Sequence, residues 1–118
     1  MLRPRKHSDE VGVRIRSQDR PMCPKFHFDR VPVRLIHSLH GEGSEWVDNP
    51  LVLQTENLAK IDSWIKKAEE DQNLGIKQAP PGSVVIMKGA NWKENAPPVI
   101  HRSPHQDQPR VVLTLDQA

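Results

Sequence analysis

The segment Cys23-Pro24-Lys25-Phe26-His27-Phe28-Asp29 decides which fold the sequence predicts. In an extended chain successive side chains point to opposite faces, so His27 and Asp29 project from the same face. A second histidine follows far downstream, in His101-Arg102-Ser103-Pro104. Two imidazoles and one carboxylate are the ligand set that holds non-haem Fe(II) and leaves coordination positions open. The sequence therefore predicts a metal site at His27, Asp29 and His101, in a fold that brings distant strands together.

Short alternating runs on both sides of this segment predict a mainly β chain. Strands are expected at residues 11–16, 31–39, 45–47, 83–88 and 110–115, with short extended segments at 25–29 and around 101. In the first strand Val11, Val13 and Ile15 alternate with Gly12, Arg14 and Arg16, which is typical of a half-buried strand with its apolar side inward. The run at 83–88 is continuously apolar and predicts a central strand.

One segment has a helical period instead. Its apolar residues are spaced three and four apart: Leu58, Ile61, Ile65 and Ala68. This spacing predicts a helix at about 56–72, with Thr55 as its N-cap and Gly75 as its C-terminal stop. One helix inserted among strands favours a jelly-roll, or double-stranded β-helix (cupin-like), because early and late strands lie side by side in that architecture.

Length and composition limit the other possibilities. With 118 residues the chain is expected to form one domain over 11–118, after a disordered basic N-terminus at 1–10. The net charge of +2 is small, and the basic residues are not interleaved with aromatic ones, so nucleic-acid binding is not expected. No apolar run approaches the length of a membrane span.

The cellular compartment is predicted from what the chain lacks. Cys23 is the one cysteine, so no internal disulfide can form, which fits a reducing compartment. The N-terminus is charged and has no apolar signal core. We therefore expect a cytoplasmic protein that acts on a small-molecule or unknown substrate. The oligomeric state stays open.

Five blocks of the sequence resemble a family of domains of unknown function. The family signature reads Cys-Pro-x-Phe-His-x-Asp, Gly-x-Gly-Thr-x-Trp, Lys-Gly, His-Arg-Ser-Pro and Arg-x-x-Leu-Thr-Leu-Asp. The matching segments are 23–29, 41–46, 88–89, 101–104 and 110–116. The chain departs from the pattern at Leu39, where the family has Tyr, and at Ser44, where it has Thr. Family members are also expected to have a longer helical N-terminal region.

More distantly, the same blocks are similar to the core of Fe(II)/2-oxoglutarate-dependent oxygenases. The resemblance implies that His27, Asp29 and His101 bind the iron. It also implies that Arg110, together with Thr114, holds the far carboxylate of 2-oxoglutarate, since an Arg fork grips a carboxylate through two hydrogen bonds. The activity implied is oxidative decarboxylation of 2-oxoglutarate coupled to oxidation of a substrate.

Other interpretations remain open at the level of sequence. Cys23, His27, His101 and His105 can be combined into a zinc site, which would make the chain a zinc-binding or metal-homeostasis protein. A scaffold with a decayed metal site is a third possibility. Arg110 can instead begin its strand with its head group in solvent. Arg34 is a second candidate for gripping a carboxylate, although we expect it at the surface.

Overall fold

The computed structural model describes residues 10–20, 23–55, 57–92, 97–105 and 109–117. The predicted disorder at residues 1–10 therefore lies outside the described residues, except for Glu10. The described residues form seven strands: β1 (Val11–Gln18), β2 (Val33–His40), β3 (Glu45–Val47), β4 (Ile76–Gln78), β5 (Val84–Lys88), β6 (His101–Arg102) and β7 (Arg110–Gln117). The helices are α1 (Pro50–Leu53) and α2 (Leu58–Glu70), followed by a 3-10 turn at Gln72–Leu74.

The strands form two antiparallel sheets. The larger sheet has the order β1-β7-β2-β5 and the smaller one β4-β3-β6. The chain is thus mainly β with a helical insertion between β3 and β4, as predicted. In the described part of the chain the two sheets stay separate and do not close into a barrel.

The prediction that β5 is a central strand is wrong, because among the described strands β5 pairs with β2 alone and lies at the edge of the larger sheet. Its continuous apolar run does not result from burial on both faces. Met87 is buried, whereas Val84 and Ile86 point outward and are 52% and 68% exposed. An apolar run therefore did not distinguish an edge strand next to an uncovered face from a central strand.

Helix α2 covers the smaller sheet and forms the core with it. The buried cluster contains Phe26, Val47, Val52, Ile61, Ala68, Leu74 and Ile100. The N-cap of α2 is Asn57, whose side chain accepts a hydrogen bond from the Ala59 amide at 2.8 Å. The predicted N-cap, Thr55, instead accepts a hydrogen bond from the indole of Trp64. Gly75, in a left-handed conformation (φ 96°), ends the 3-10 turn and not α2 itself.

The outer face of the larger sheet is apolar and exposed. On β1 the exposed fractions are 53% for Val11, 62% for Val13 and 65% for Ile15. The expectation that the apolar side of β1 is buried is therefore wrong. The opposite side of β1 faces the space between the two sheets, where Arg14 and Arg16 line a pocket. No helix in the described ranges has both the length and the apolar character needed to cross a bilayer.

Candidate metal centre

An alternating stretch of sequence separates the core from the candidate metal centre. Phe26 is buried in the core cluster and Phe28 packs against it. Because side chains alternate in an extended segment, His27 and Asp29 point to the opposite side. His27 forms an isolated antiparallel bridge with His101 through backbone hydrogen bonds of 3.0 and 2.9 Å. This bridge places the two histidines side by side on one face.

The three predicted ligands come together in space. One ligand atom from each of His27, Asp29 and His101 lies within 4.8 Å of the other two. The two imidazole rings have centroids 4.5 Å apart and are tilted by 52°. The side chain of His101 is 5% exposed, that of Asp29 12% and that of His27 33%. The group is therefore open to its pocket on the His27 side and closed on the His101 side.

Backbone carbonyls determine which nitrogen of each imidazole is available as a ligand. His27 Nδ1 lies 2.8 Å from the Lys25 carbonyl oxygen, and His101 Nδ1 lies 3.1 Å from that of Val99. A carbonyl oxygen can only accept a hydrogen bond, so each Nδ1 carries a proton and donates a hydrogen bond to that oxygen. In the neutral imidazole each Nε2 then keeps its lone pair, which is the form that coordinates metals.

The two oxygens of Asp29 have different surroundings. Oδ1 lies 2.8 Å from Arg34 Nη1. Oδ2 is buried and receives no hydrogen bond among the described residues, although His101 Nε2 is 3.2 Å away. Two lone pairs that face each other at this distance repel, unless a cation or a proton lies between them. A divalent cation satisfies both atoms, so the residues present fit a metal ion.

Asp29 is also held in its charged form. Burial acts to raise the pKa of Asp29, but His101 in its protonated, hydrogen-bonding form, together with Arg34 and His27, outweighs burial, and the pKa lies below its usual value. A metal ion between His101 Nε2 and Asp29 Oδ2 would take the place of that proton and would favour the charged carboxylate in the same way. A carboxylate must be ionised to coordinate a metal without first losing a proton. The electrostatic surroundings therefore keep Asp29 ready as a ligand.

Arg34 connects Asp29 to the larger sheet. Its Nε and Nη2 donate to the two oxygens of Asp116 at 2.5 and 3.0 Å, and Arg14 contacts the same carboxylate at 2.5 Å. The side chain of Arg34 is 19% exposed, so the expectation that it lies at the surface is wrong. A guanidinium held by Asp116 at one edge has a fixed direction toward Asp29, which fixes the orientation of that carboxylate in turn.

A close approach of backbone holds the Asp29 segment against the end of β5. The amide of Gly89 donates to the Pro32 carbonyl at 3.0 Å, and that of Ala90 donates to the Asp29 carbonyl at 2.7 Å. A Cβ added to Gly89 would lie 1.9 Å from the Val31 carbonyl oxygen. Only glycine fits there, which gives the Lys88-Gly89 block a structural role near the metal centre.

Arg110 lies inside the protein at the start of β7. It is 2% exposed, Nη2 donates to Ser38 Oγ at 3.3 Å, and Nε has no partner among the described residues. The interpretation in which its head group lies in solvent is therefore wrong. Burial lowers the pKa of Arg110, which Glu42 partly offsets. A buried guanidinium with an unpaired N–H is costly and favours an anionic ligand.

A pocket of about 190 Å³ lies between the two sheets. Its lining includes His27, His101, Arg34, Arg110 and Thr114, so the candidate ligands and the buried arginine share one space. Pockets for drug-sized ligands hold roughly 300–1,000 Å³. The pocket therefore admits a small ligand, and on the side of the larger sheet its lining includes the four arginines Arg14, Arg16, Arg34 and Arg110.

The structure does not bring the four predicted zinc ligands together. Cys23 is exposed and lines the same pocket. In the described part of the chain, however, the candidate ligand group contains neither Cys23 nor His105. The set that comes together is two nitrogens and one oxygen, which leaves coordination positions open, as in catalytic sites.

A comparison with family models places the chain in a family of domains of unknown function, as the sequence predicted. The family described as "Protein of unknown function (DUF1826)" matches residues 6–116. The chain belongs to the DUF1826 family. No curated protein and no solved structure matches the chain. The match therefore includes all three candidate ligands of this DUF1826 chain together with Arg34 and Arg110.

Three residues at the pocket have roles that the sequence pattern did not predict: Asp116, Arg14 and Arg16. For each of these residues the period of two along its strand could have indicated the pocket face. Asp116 is two residues beyond Thr114, so a period of two places it on the pocket face of β7. Arg14 and Arg16 alternate with apolar residues that were assigned to the buried side. That assignment placed the arginines in solvent.

Proposed function

We propose that the protein is a non-haem Fe(II)- and 2-oxoglutarate-dependent oxygenase with a jelly-roll-related arrangement of its two sheets. The observation that carries the proposal is the convergence of three ligand atoms, with the donor nitrogens fixed by backbone carbonyls. His27 Nε2, His101 Nε2 and Asp29 Oδ2 would hold the ion. Two imidazoles and one carboxylate form the facial set of this enzyme class.

Bound iron would supply the activation of oxygen and the oxidation of the cosubstrate. The surrounding residues orient the ligands. Lys25 and Val99 carbonyls hold the imidazoles by their Nδ1 protons, and Arg34 holds one oxygen of Asp29 so that the other is free. Such partners of the ligands contribute to metal affinity in known sites.

Arg110 and Thr114 would bind the carboxylate of 2-oxoglutarate that lies away from the metal. Both residues line the pocket that His27 and His101 also line. The Nε–H of Arg110, which has no partner among the described residues, and a neighbouring N–H of the same guanidinium can form two parallel hydrogen bonds to a carboxylate. The hydroxyl of Thr114, on the same face of β7, can donate a third.

Anaerobic metal titration tests this proposal. Fe(II) and Zn(II) binding are measured for the wild-type protein, for His27→Ala and for His37→Ala, each with and without 2-oxoglutarate. His37 is a matched control because it lies on β2, outside the candidate ligand group, beside the Gly82 carbonyl. We expect Fe(II) binding that His27→Ala abolishes and His37→Ala preserves. Addition of 2-oxoglutarate should give a new visible charge-transfer band.

Two other results would lead to different functions. Tight zinc binding that 2-oxoglutarate leaves unchanged would identify a zinc-binding or metal-homeostasis protein, with Cys23 as the first residue to test as a fourth ligand. No metal binding by the wild-type protein would identify a scaffold whose metal site has decayed. Either result contradicts the oxygenase proposal.

A further inference from the structure

The edge strand β1 presents two arginines to the pocket that the proposed oxygenase chemistry does not use. Arg14 and Arg16 both line this pocket, whereas the alternating residues Val13 and Ile15 face solvent on the other side of the strand. Residues two apart on a strand are separated by about 6.5–7 Å along it. Two guanidinium groups therefore stand side by side at the β1 side of the pocket.

Among the described residues, the charges of the pocket do not balance without another anion. The guanidinium groups on this face are those of Arg14, Arg16, Arg34 and Arg110. The carboxylates that contact them are Asp29, bound to Arg34, and Asp116, shared by Arg34 and Arg14. A divalent metal and a dicarboxylate cosubstrate would cancel each other. In the part of the chain that the structure describes, about two positive charges then remain unopposed, apart from the more distant effect of Glu42 on Arg110.

Among the four arginines that line the pocket, Arg16 has the fewest partners within the described residues. Within the described ranges no carboxylate lies within 4.0 Å of its guanidinium, whereas Arg14 contacts Asp116 at 2.5 Å. In the register of the sheet Arg16 lies opposite Val112, and Arg14 lies opposite Thr114. Adjacent strands are separated by about 4.8 Å. The β1 arginines are thus direct neighbours of the strand proposed to hold 2-oxoglutarate.

We infer that the oxidised substrate carries an anionic group, a carboxylate or a phosphate, that binds to Arg16 with Arg14 beside it. The assignment of this anion to an oxidised substrate rests on the proposed function. The anion site itself rests on β1 and on the charges of the pocket. Arg16 supplies a planar fork that no described carboxylate occupies, and this fork matches the oxygens of both groups. The substrate would enter from the β1 edge, beside the cosubstrate.

Fluorine NMR with two small anions tests the inference. Trifluoroacetate represents the carboxylate and fluorophosphate the phosphate. Each is titrated into protein loaded with Mn(II) and 2-oxoglutarate, and the paramagnetic broadening of the ¹⁹F line is measured. The variants are Arg16→Gln, Arg16→Lys and Arg20→Gln. Arg20 is a matched control, since it is exposed in the loop after β1 and does not line the pocket.

We expect one of the two anions to bind the wild-type protein, and the one that binds identifies the group. Loss of a charge-assisted pair should raise its Kd about tenfold or more in Arg16→Gln. Arg20→Gln should leave the Kd unchanged, and Arg16→Lys should recover part of the affinity. Mn(II) and 2-oxoglutarate should bind Arg16→Gln as they bind the wild-type protein.

The inference is overturned if neither anion binds the wild-type protein, or if Arg16→Gln and Arg20→Gln behave alike. The arginines of β1 would then only protect a sheet edge from pairing with other chains. Failure of the wild-type protein to bind metal or 2-oxoglutarate would overturn the proposed function instead. In that case the same titrations of the metal-free protein, read as diamagnetic ¹⁹F broadening, still decide whether Arg16 binds an anion.

Discussion

Replacement of Arg34 by Lys should weaken metal binding although it keeps the charge. The guanidinium contacts Asp29 Oδ1 at 2.8 Å through Nη1, and both oxygens of Asp116 through Nε and Nη2. A single ammonium group cannot reproduce three hydrogen bonds in one plane. Arg34→Lys would therefore leave Asp29 ionised but free to rotate, so its Oδ2 would no longer be fixed toward the two imidazoles.

The size of the effect follows from what the substitution leaves unchanged. Because the net charge is the same, the repulsion between residue 34 and the bound cation is nearly unchanged. The loss of orientation then dominates. Removal of partners of metal ligands typically costs 10–100-fold in affinity, or about 1.4–2.7 kcal/mol. The free energy of unfolding of the metal-free protein should fall by less, since Arg14 still pairs with Asp116.

The assay is an anaerobic titration with Co(II), whose visible spectrum reports the geometry of coordination as well as the affinity. Arg20→Lys, in an exposed loop outside the pocket, is the control. We expect Arg34→Lys to bind Co(II) 10–100-fold more weakly, with a changed spectrum, whereas Arg20→Lys matches the wild-type protein. Wild-type affinity and spectrum in Arg34→Lys would refute the reasoning that Arg34 orients Asp29.

Two further predictions concern the support of the site. Gly89→Ala places a Cβ 1.9 Å from the Val31 carbonyl oxygen, so both Co(II) affinity and the denaturation midpoint should decrease. Gly12→Ala, whose nearest atoms are 4.0 Å away, should be close to wild type in the same two measurements. Ile61→Ala removes a fully buried side chain and should lower the free energy of unfolding in urea by about 2–5 kcal/mol. Leu51→Ala, 65% exposed, should stay within about 0.5 kcal/mol, and equal losses in both variants would contradict the position of the core.

The sequence predicted the members of the candidate site better than their surroundings. A period of two placed His27 and Asp29 on one face, and the structure brings His101 to them. The roles of Arg34 and Asp116 depend on which strands are neighbours. Residues 34 and 116 are paired in the register of β2 and β7, and a single sequence does not contain that register. For this reason Arg34 was expected at the surface.

The fold was predicted at the level of its elements and not of its layers. Alternation and period identified the strands and the helix, because these are local properties of the chain. Which face of β1 is buried is a tertiary property. Val13 and Ile15 are as apolar as core residues, yet the structure leaves them exposed and turns Arg14 and Arg16 toward the pocket. Hydrophobicity alone favoured the opposite orientation.

The alternation of Phe26, His27, Phe28 and Asp29 makes the register of one short segment decisive. A side-chain period of two means that a slip of one residue moves every side chain to the other face. Both phenylalanines would then fill the pocket, and an imidazole and a carboxylate would enter the apolar core against α2. Deletion or insertion of one residue here would thus remove a ligand pair and a part of the core together. A substitution on one face would affect either the ligands or the core, whereas a change in length would affect both.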